Sequence, residues 1–77
     1  MKNFIVEFAP NMKLMDNYET ISGETAKEAI ERRFGKSVKR VKWKDAACCD
    51  FIVINGTYDS ETNMIHRQGN KMCFEII

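Results

Sequence analysis

Apolar residues along the chain follow two different periodicities, and these predict strands on both sides of one helix. Positions 4–8 carry Phe4, Val6 and Phe8 at every second residue, the alternation of a half-buried strand that ends before Pro10. Residues 18–21 have the aromatic and β-branched content of a second strand. The simplest connection between these two segments is a hairpin.

The segment 21–35 carries the start, face and stop signals of an amphipathic helix. Ser22 is predicted to cap its first turn, and Gly35 to end it in the left-handed conformation. The apolar positions recur at helical spacing and predict one buried face: Ala26, Ala29, Ile30 and Phe34. Charged residues occupy the other side, so the helix is expected to pack on a sheet.

The second half of the chain reads as strands and turns. Positions 40–44 alternate basic and apolar residues, which indicates a third strand. Phe51–Ile54 is a short apolar run before a predicted Asn55-Gly56 turn, typical of a central strand covered on both faces. Met64–Arg67 and Lys71–Ile77 flank a glycine-containing turn and predict a closing hairpin.

These elements predict an α+β fold in a single domain spanning residues 1–77. The expected chain order is β-β-α-β-β-β-β, with one amphipathic helix packed on a mostly antiparallel sheet of about five strands. This arrangement, with alanines on the buried face of the helix, resembles small one-helix α+β proteins of phages and mobile elements. Some anti-CRISPR proteins share that architecture. The resemblance implies a protein that inhibits or redirects a host complex, and it transfers no individual functional residue.

Composition narrows the class of protein without identifying a chemistry. The 77 residues are 44% hydrophobic and 30% charged, as in globular proteins, and the net charge is +1. The first residues lack the features of a signal peptide, and no apolar run is long enough to span a bilayer, so we expect a cytoplasmic protein without membrane association. No catalytic motif is recognisable, and we predict that the protein is not an enzyme.

The three cysteines are expected to be reduced. Their odd number, the adjacent Cys48 and Cys49, and the absence of an export signal argue against disulfides. Together with Cys73 and His66 they are the residues best suited to bind zinc, but their spacing is poor for tetrahedral ligation. We therefore predict no metal site and no cofactor, with the cysteines filling gaps in the core.

The strongest chemical signal is the basic segment 36–44. Alternation in a strand would place Arg40, Lys42 and Lys44 in one row that follows a phosphate backbone, with Trp43 as a stacking platform if it is exposed. The alternative is an edge strand protected by lysines, with Trp43 in the core under the helix. The candidate binding residues are Lys36, Lys39, Arg40, Lys42, Trp43 and Lys44.

A second candidate surface surrounds the predicted loop at 58–63. Its acidic residues could meet a basic partner, and the neighbouring histidine and arginine could contact a phosphate or respond to pH. The alternative is a solvated turn with no binding role. The residues of this secondary surface are Tyr58, Asp59, Glu61, His66 and Arg67.

Three functional hypotheses follow from these observations. The first is a non-enzymatic protein-binding module that acts on a host or viral protein complex. A nucleoprotein is one kind of complex that this hypothesis covers. The second is a nucleic-acid-binding module that uses the basic segment 36–44. The third is a metal or redox protein that depends on the cysteines. The terminal strand 71–77 also offers an edge for pairing across a dimer.

Overall fold

A computed structural model describes residues 1–10, 18–43 and 49–77. Within these residues the chain forms five strands and one helix: β1 (Lys2–Phe8), β2 (Glu19–Gly23), α1 (Ala26–Phe34), β3 (Val38–Val41), β4 (Phe51–Asp59) and β5 (Met64–Ile76). The strands pair antiparallel in the order β2-β1-β4-β5-β3 in a curled sheet. This architecture agrees with the predicted α+β class, but the predicted chain order contains one strand too many.

The extra strand came from a predicted turn at residues 68–70 that the structure does not form. Met64–Ile76 is one continuous strand, and the turn that joins it to β4 lies at residues 60–63. Gly69, expected in the turn of a closing hairpin at 68–70, instead lies where the register between β4 and β5 shifts. Gly56 lies inside β4, where a Cβ atom would come within 2.0 Å of the His66 carbonyl oxygen. Both glycines mark irregular strand geometry and not chain reversals.

The helix is shorter than predicted because its cap was misassigned. Strand β2 pairs with β1 as far as Lys2↔Gly23, so Ser22 belongs to the sheet and donates a hydrogen bond to Asn3 Oδ1 at 2.8 Å. Thr25 is the N-cap, and its Oγ1 accepts a hydrogen bond from the Glu28 amide at 3.1 Å. Gly35 ends the helix with φ 68°, which confirms the predicted stop.

The main hydrophobic core lies between α1 and one face of the sheet. Ala26, Ala29 and Ile30 are buried, as the helical spacing predicted, and Phe34 packs against Phe51 with the ring centroids 5.1 Å apart. The sheet contributes seven further buried side chains: Phe4, Val6, Ile21, Val38, Phe51, Val53 and Phe74. Residues 51–54 are all buried, and β4 is central, which confirms the predicted central strand.

The opposite face of the sheet, which we call the open face, has its own smaller core. Cys49 and Cys73 form a disulfide there and pack with Ile52. The prediction of three reduced cysteines is therefore wrong. Cys49 precedes β4, and the Asp50 amide donates a hydrogen bond to the Phe74 carbonyl oxygen at 3.1 Å, which holds this segment beside β5. The Cα atoms of Cys49 and Cys73 are 5.9 Å apart, a normal distance for a disulfide. Cys48 lies outside the described residues.

The sheet curls so that the far end of β4 approaches β2 across the open face. Thr20 Oγ1 accepts a hydrogen bond from the Tyr58 amide at 2.9 Å and lies 3.3 Å from the Tyr58 carbonyl oxygen. The curl helps to bury Ile5 and Ile54, which face each other in the register of β1 and β4. In the described part of the chain, no helix combines the length and apolarity needed to cross a membrane.

Candidate functional site

Trp43 lies at the centre of the site that the structure supports best. Strand β3 ends at Val41, so Lys42 and Trp43 leave the sheet, and the alternation that predicted a row of Arg40, Lys42 and Lys44 stops before it reaches Lys42. The Trp43 side chain is 53% exposed. The alternative that placed it in the core under the helix is therefore wrong.

A groove of about 580 Å³ runs beside Trp43 between β3 and β5. Apolar side chains and one end of the disulfide form part of its lining, and three cationic residues border it. The described residues that line this basic groove are Arg40, Val41, Lys42, Trp43, Asn70, Lys71, Met72 and Cys73. None of these lining residues is acidic, so cations outnumber acids here even though Lys71 also contacts Glu7.

Lys71 connects the basic groove to the open face. Its Nζ atom lies 5.9 Å from the centroid of the Trp43 ring and 3.1 Å from Glu7 Oε2. The ammonium group therefore has an aromatic face on one side and a carboxylate on the other. Sequence reasoning missed Lys71, because its approach to Trp43 follows from the antiparallel register of β3 and β5, in which Val41 lies opposite Cys73, and no local pattern signals that pairing.

The predicted basic residues do not form a single row. Arg40 and Lys42 line the basic groove with Trp43, but Arg40 also borders a second depression near the start of α1. Lys39 pairs in register with Glu75, and Lys36 lines a separate cavity with Phe34 and Phe51. Lys44 lies outside the described residues. The structure thus brings together two of the five predicted cations, along with Trp43.

The residues of the secondary surface are dispersed in the same way. Tyr58 donates a hydrogen bond to Asn63 Oδ1 at 2.9 Å, and Asp59 Oδ1 accepts one from the Glu61 amide at 2.9 Å. That amide hydrogen bond, together with one from the Thr62 side chain, lowers the pKa of Asp59. These contacts order the hairpin turn.

The two basic residues of the secondary surface lie farther along β5. His66 lines a depression with Lys2 and Asn3. Arg67 is on the open face, where its Nη2 lies 2.8 Å from Glu7 Oε1. The five predicted residues therefore do not meet in one site, and only Arg67 approaches the groove region, through its shared contact with Glu7.

Among the ion pairs of the described residues, Glu7 has the most deeply buried side chain, with 7% exposed. Lys71 and Arg67, which are 43% and 41% exposed, approach its two oxygens from β5. Among the described residues, Oε1 has no hydrogen-bond partner, so its contact with Arg67 is an ion pair without hydrogen-bond geometry. One buried carboxylate thus holds two cations whose outer surfaces remain exposed to solvent.

The carboxylates near α1 are arranged differently. Glu28 pairs with Arg32 at 2.8 Å, and Lys27 Nζ lies 3.6 Å from Glu31, both at the i, i+4 spacing that makes residues neighbours on a helix. Arg33 forms two hydrogen bonds to Glu19, and these raise the pKa of its guanidinium. In these three contacts, each cation on the helix side is balanced by one acid.

The structure and the comparisons identify no further chemistry. In residues 1–10, 18–43 and 49–77, no group of three or more histidine, cysteine or acidic side chains is placed to hold a metal ion. Cys49 and Cys73, two of the four residues considered as zinc ligands, are joined to each other. Comparison with protein-family models, curated proteins and solved structures gives no match.

Proposed function

We propose that the protein is a non-enzymatic binding module and that its ligand is a single-stranded nucleic acid held in the basic groove. The observation that carries this proposal is the exposed Trp43 ring, which is bordered by Lys42 and Lys71. Aromatic stacking and phosphate contacts are the two interactions that sequence-tolerant single-strand binding uses.

The distribution of charge supports this ligand in spite of the net charge of +1. A nearly neutral chain exerts little long-range attraction on a polyanion. However, Glu19, Glu28 and Glu31 are paired with Arg33, Arg32 and Lys27 of α1, none of which lines the groove. The described lining of the groove contains three cationic residues, and only Lys71 shares the carboxylate of Glu7, so the local charge remains positive.

Protein binding is the second candidate, and the position of β3 favours it. Among the described strands, β3 lies at one end of the sheet, with Lys39 and Arg40 exposed. An extended acidic segment of a partner would pair with this edge and place its carboxylates near the basic residues. With the resemblance to small phage proteins, this leads to the proposal of a host or viral complex as the partner.

The cytoplasmic location predicted from the sequence stays a prediction. It was based on the absence of signal-peptide features and of a long apolar run, and the reduced cysteines expected with it are not found at Cys49 and Cys73, which are bonded. Stable disulfides are typical of oxidising compartments. The bond also removes two of the three thiols on which the hypothesis of a cysteine-dependent protein rested.

Trp43 provides a direct test, because it is the only tryptophan in the chain. Titration with oligothymidylate should quench its fluorescence as a base stacks on the ring, whereas a polyglutamate peptide of equal charge should bind more weakly. For three phosphate contacts we expect log Kd to change with log salt with a slope magnitude of about 2. Stronger binding of polyglutamate would favour the protein-binding candidate.

Two substitutions in the groove sharpen this test. Lys42→Gln should reduce the slope by about 0.7, and Trp43→Leu should weaken binding by about 1–3 kcal/mol, measured by anisotropy of a labelled oligonucleotide. Lys27→Gln is the matched control, because Lys27 is an exposed lysine on α1 and does not line the groove. Equal effects of Lys42→Gln and Lys27→Gln, or no quenching of the unmodified protein, would overturn the proposal.

A further inference from the structure

A row of aromatic and charged side chains continues from the basic groove across the open face. It begins with two contacts already described, from Trp43 to Lys71 and from Lys71 to Glu7. Beyond Glu7, the row reaches Arg67 and ends at a pair of tyrosines. Its members, in spatial order, are Trp43, Lys71, Glu7, Arg67, Tyr18 and Tyr58.

The far end of the row repeats the chemistry of the groove. The Arg67 guanidinium lies 5.7 Å from the centroid of the Tyr18 ring, close to the 5.9 Å between Lys71 and Trp43. Tyr18 and Tyr58 are both partly exposed, and their rings meet edge to face with the centroids 5.6 Å apart. Each end of the row therefore has one cation beside an accessible aromatic ring.

We infer that Arg67 and Tyr18 form a second contact site for the same nucleic-acid strand, which runs from the basic groove along the open face. This inference rests on the proposed function and names the path of the ligand. A strand that bridges both sites would stack bases on Trp43 and Tyr18 and place phosphates near Lys71 and Arg67. No sequence-specific hydrogen bonding is required.

Glu7 gives this path a particular electrostatic character. Its carboxylate is buried beneath the two cations, so it holds them on the open face without itself facing the ligand. The negative charge of Glu7 also reduces the combined charge of Glu7, Lys71 and Arg67 to +1. Glu7 therefore acts as a positioning residue that limits nonspecific attraction, while stacking on the two aromatic sites supplies much of the affinity.

The two-site path predicts a dependence of affinity on ligand length. Oligothymidylates of about two nucleotides, which occupy the groove alone, should bind Arg67→Gln and Tyr18→Leu as they bind the unmodified protein. Oligothymidylates of about eight nucleotides should bind both variants about tenfold more weakly. Arg67→Gln should also lower the magnitude of the salt slope for the long ligand by about 0.7.

The controls separate a lost contact from a damaged fold. Arg32→Gln removes an arginine that is paired with an acid, as Arg67 is, but on the far side of the molecule. It should leave binding at both lengths unchanged. Tyr18→Phe keeps the ring and should bind like the unmodified protein, and the thermal midpoint of each variant shows whether the fold is intact.

The positioning role of Glu7 is tested by the salt dependence of binding. Glu7→Gln should steepen the salt dependence for the long ligand, because two cations are released from their carboxylate. An unchanged slope would overturn this role.

The inference and the proposed function fail in different ways. If Arg67→Gln and Tyr18→Leu bind the long strand as tightly as the unmodified protein does, while Lys42→Gln does not, the groove is the whole site and the second contact is wrong. If no oligothymidylate quenches Trp43 at any length, the proposed function itself fails.

Discussion

Positive and negative side chains are distributed differently on the two sides of the sheet. On α1, each of Arg32, Arg33 and Lys27 has its own acidic partner, and the helix covers a large apolar core. On the open face, two cations share the single carboxylate of Glu7, and the neighbouring groove adds cations without an acid among its described lining. In these contacts, each cation on the helix side has one acidic partner, whereas on the open side cations outnumber acids.

This difference separates the surface that stabilises the fold from the surface that is free to bind. One-to-one surface ion pairs contribute little to stability and leave no field for a charged ligand. Unbalanced cations beside accessible aromatic rings leave both a field and stacking surfaces. The comparison therefore predicts that substitutions beneath α1 change mainly stability, and that exposed substitutions on the open side change mainly binding.

The largest expected effect is at Ile30, in the core beneath the helix. Ile30→Ala should lower the free energy of unfolding by about 2–5 kcal/mol, because Ile30 is fully buried and the truncation leaves a cavity. Urea denaturation followed by circular dichroism measures this change. Lys27→Ala is a suitable control on the exposed face of the same helix and should change stability by less than about 0.5 kcal/mol. Equal losses would mean that the buried face of α1 is misassigned.

The next effect concerns the disulfide on the open face. Reduction should destabilise the protein by about 2–4 kcal/mol, because Cys49 and Cys73 close a loop with a sequence separation of 24. Urea denaturation with and without reductant measures the difference, and Cys49→Ala/Cys73→Ala should not respond to reductant. Titration of the denatured protein should find two fewer thiols before reduction than after it. Equal thiol counts before and after reduction would show that Cys49 and Cys73 are not bonded.

Local sequence signals were sufficient for much of the helix side. The spacing of Ala26, Ala29 and Ile30 identified the buried face, and Gly35 identified the helix end, because both depend on residues close together in the chain. Ser22 misled for the same reason. It is a good capping residue by type, but pairing with β1 keeps it in the sheet, and Thr25 takes the cap.

The open side depends on contacts between distant residues, and there the sequence was insufficient. Gly56 and Gly69 were interpreted as turns, although both lie within strands at irregular positions. That error separated Lys71 and Arg67 into different elements and hid their common approach to Glu7. The predicted strand over residues 40–44 was also too long, because β3 ends at Val41, two residues before Trp43.

The smallest effect tests the comparison most directly, by measuring one ion pair from each side. In double-mutant cycles, the Glu28–Arg32 pair should show a coupling energy of about 0.3–0.5 kcal/mol, as exposed i, i+4 pairs do. The Glu7–Arg67 pair should show a larger coupling, of about 1 kcal/mol, because Glu7 is buried and Coulomb attraction is less screened there. Glutamine replacements in both cycles keep the side chains polar and long.

The total effect of Glu7→Gln on stability should nevertheless be small. Removing a buried carboxylate also removes the cost of desolvating it, and the released cations, already more than two-fifths exposed, regain water. A strong coupling with little net stabilisation would show that Glu7 arranges Arg67 and Lys71 more than it stabilises the fold. Similar couplings in the two cycles would mean that the open face is another balanced surface, and its excess charge would then be confined to the groove beside Trp43.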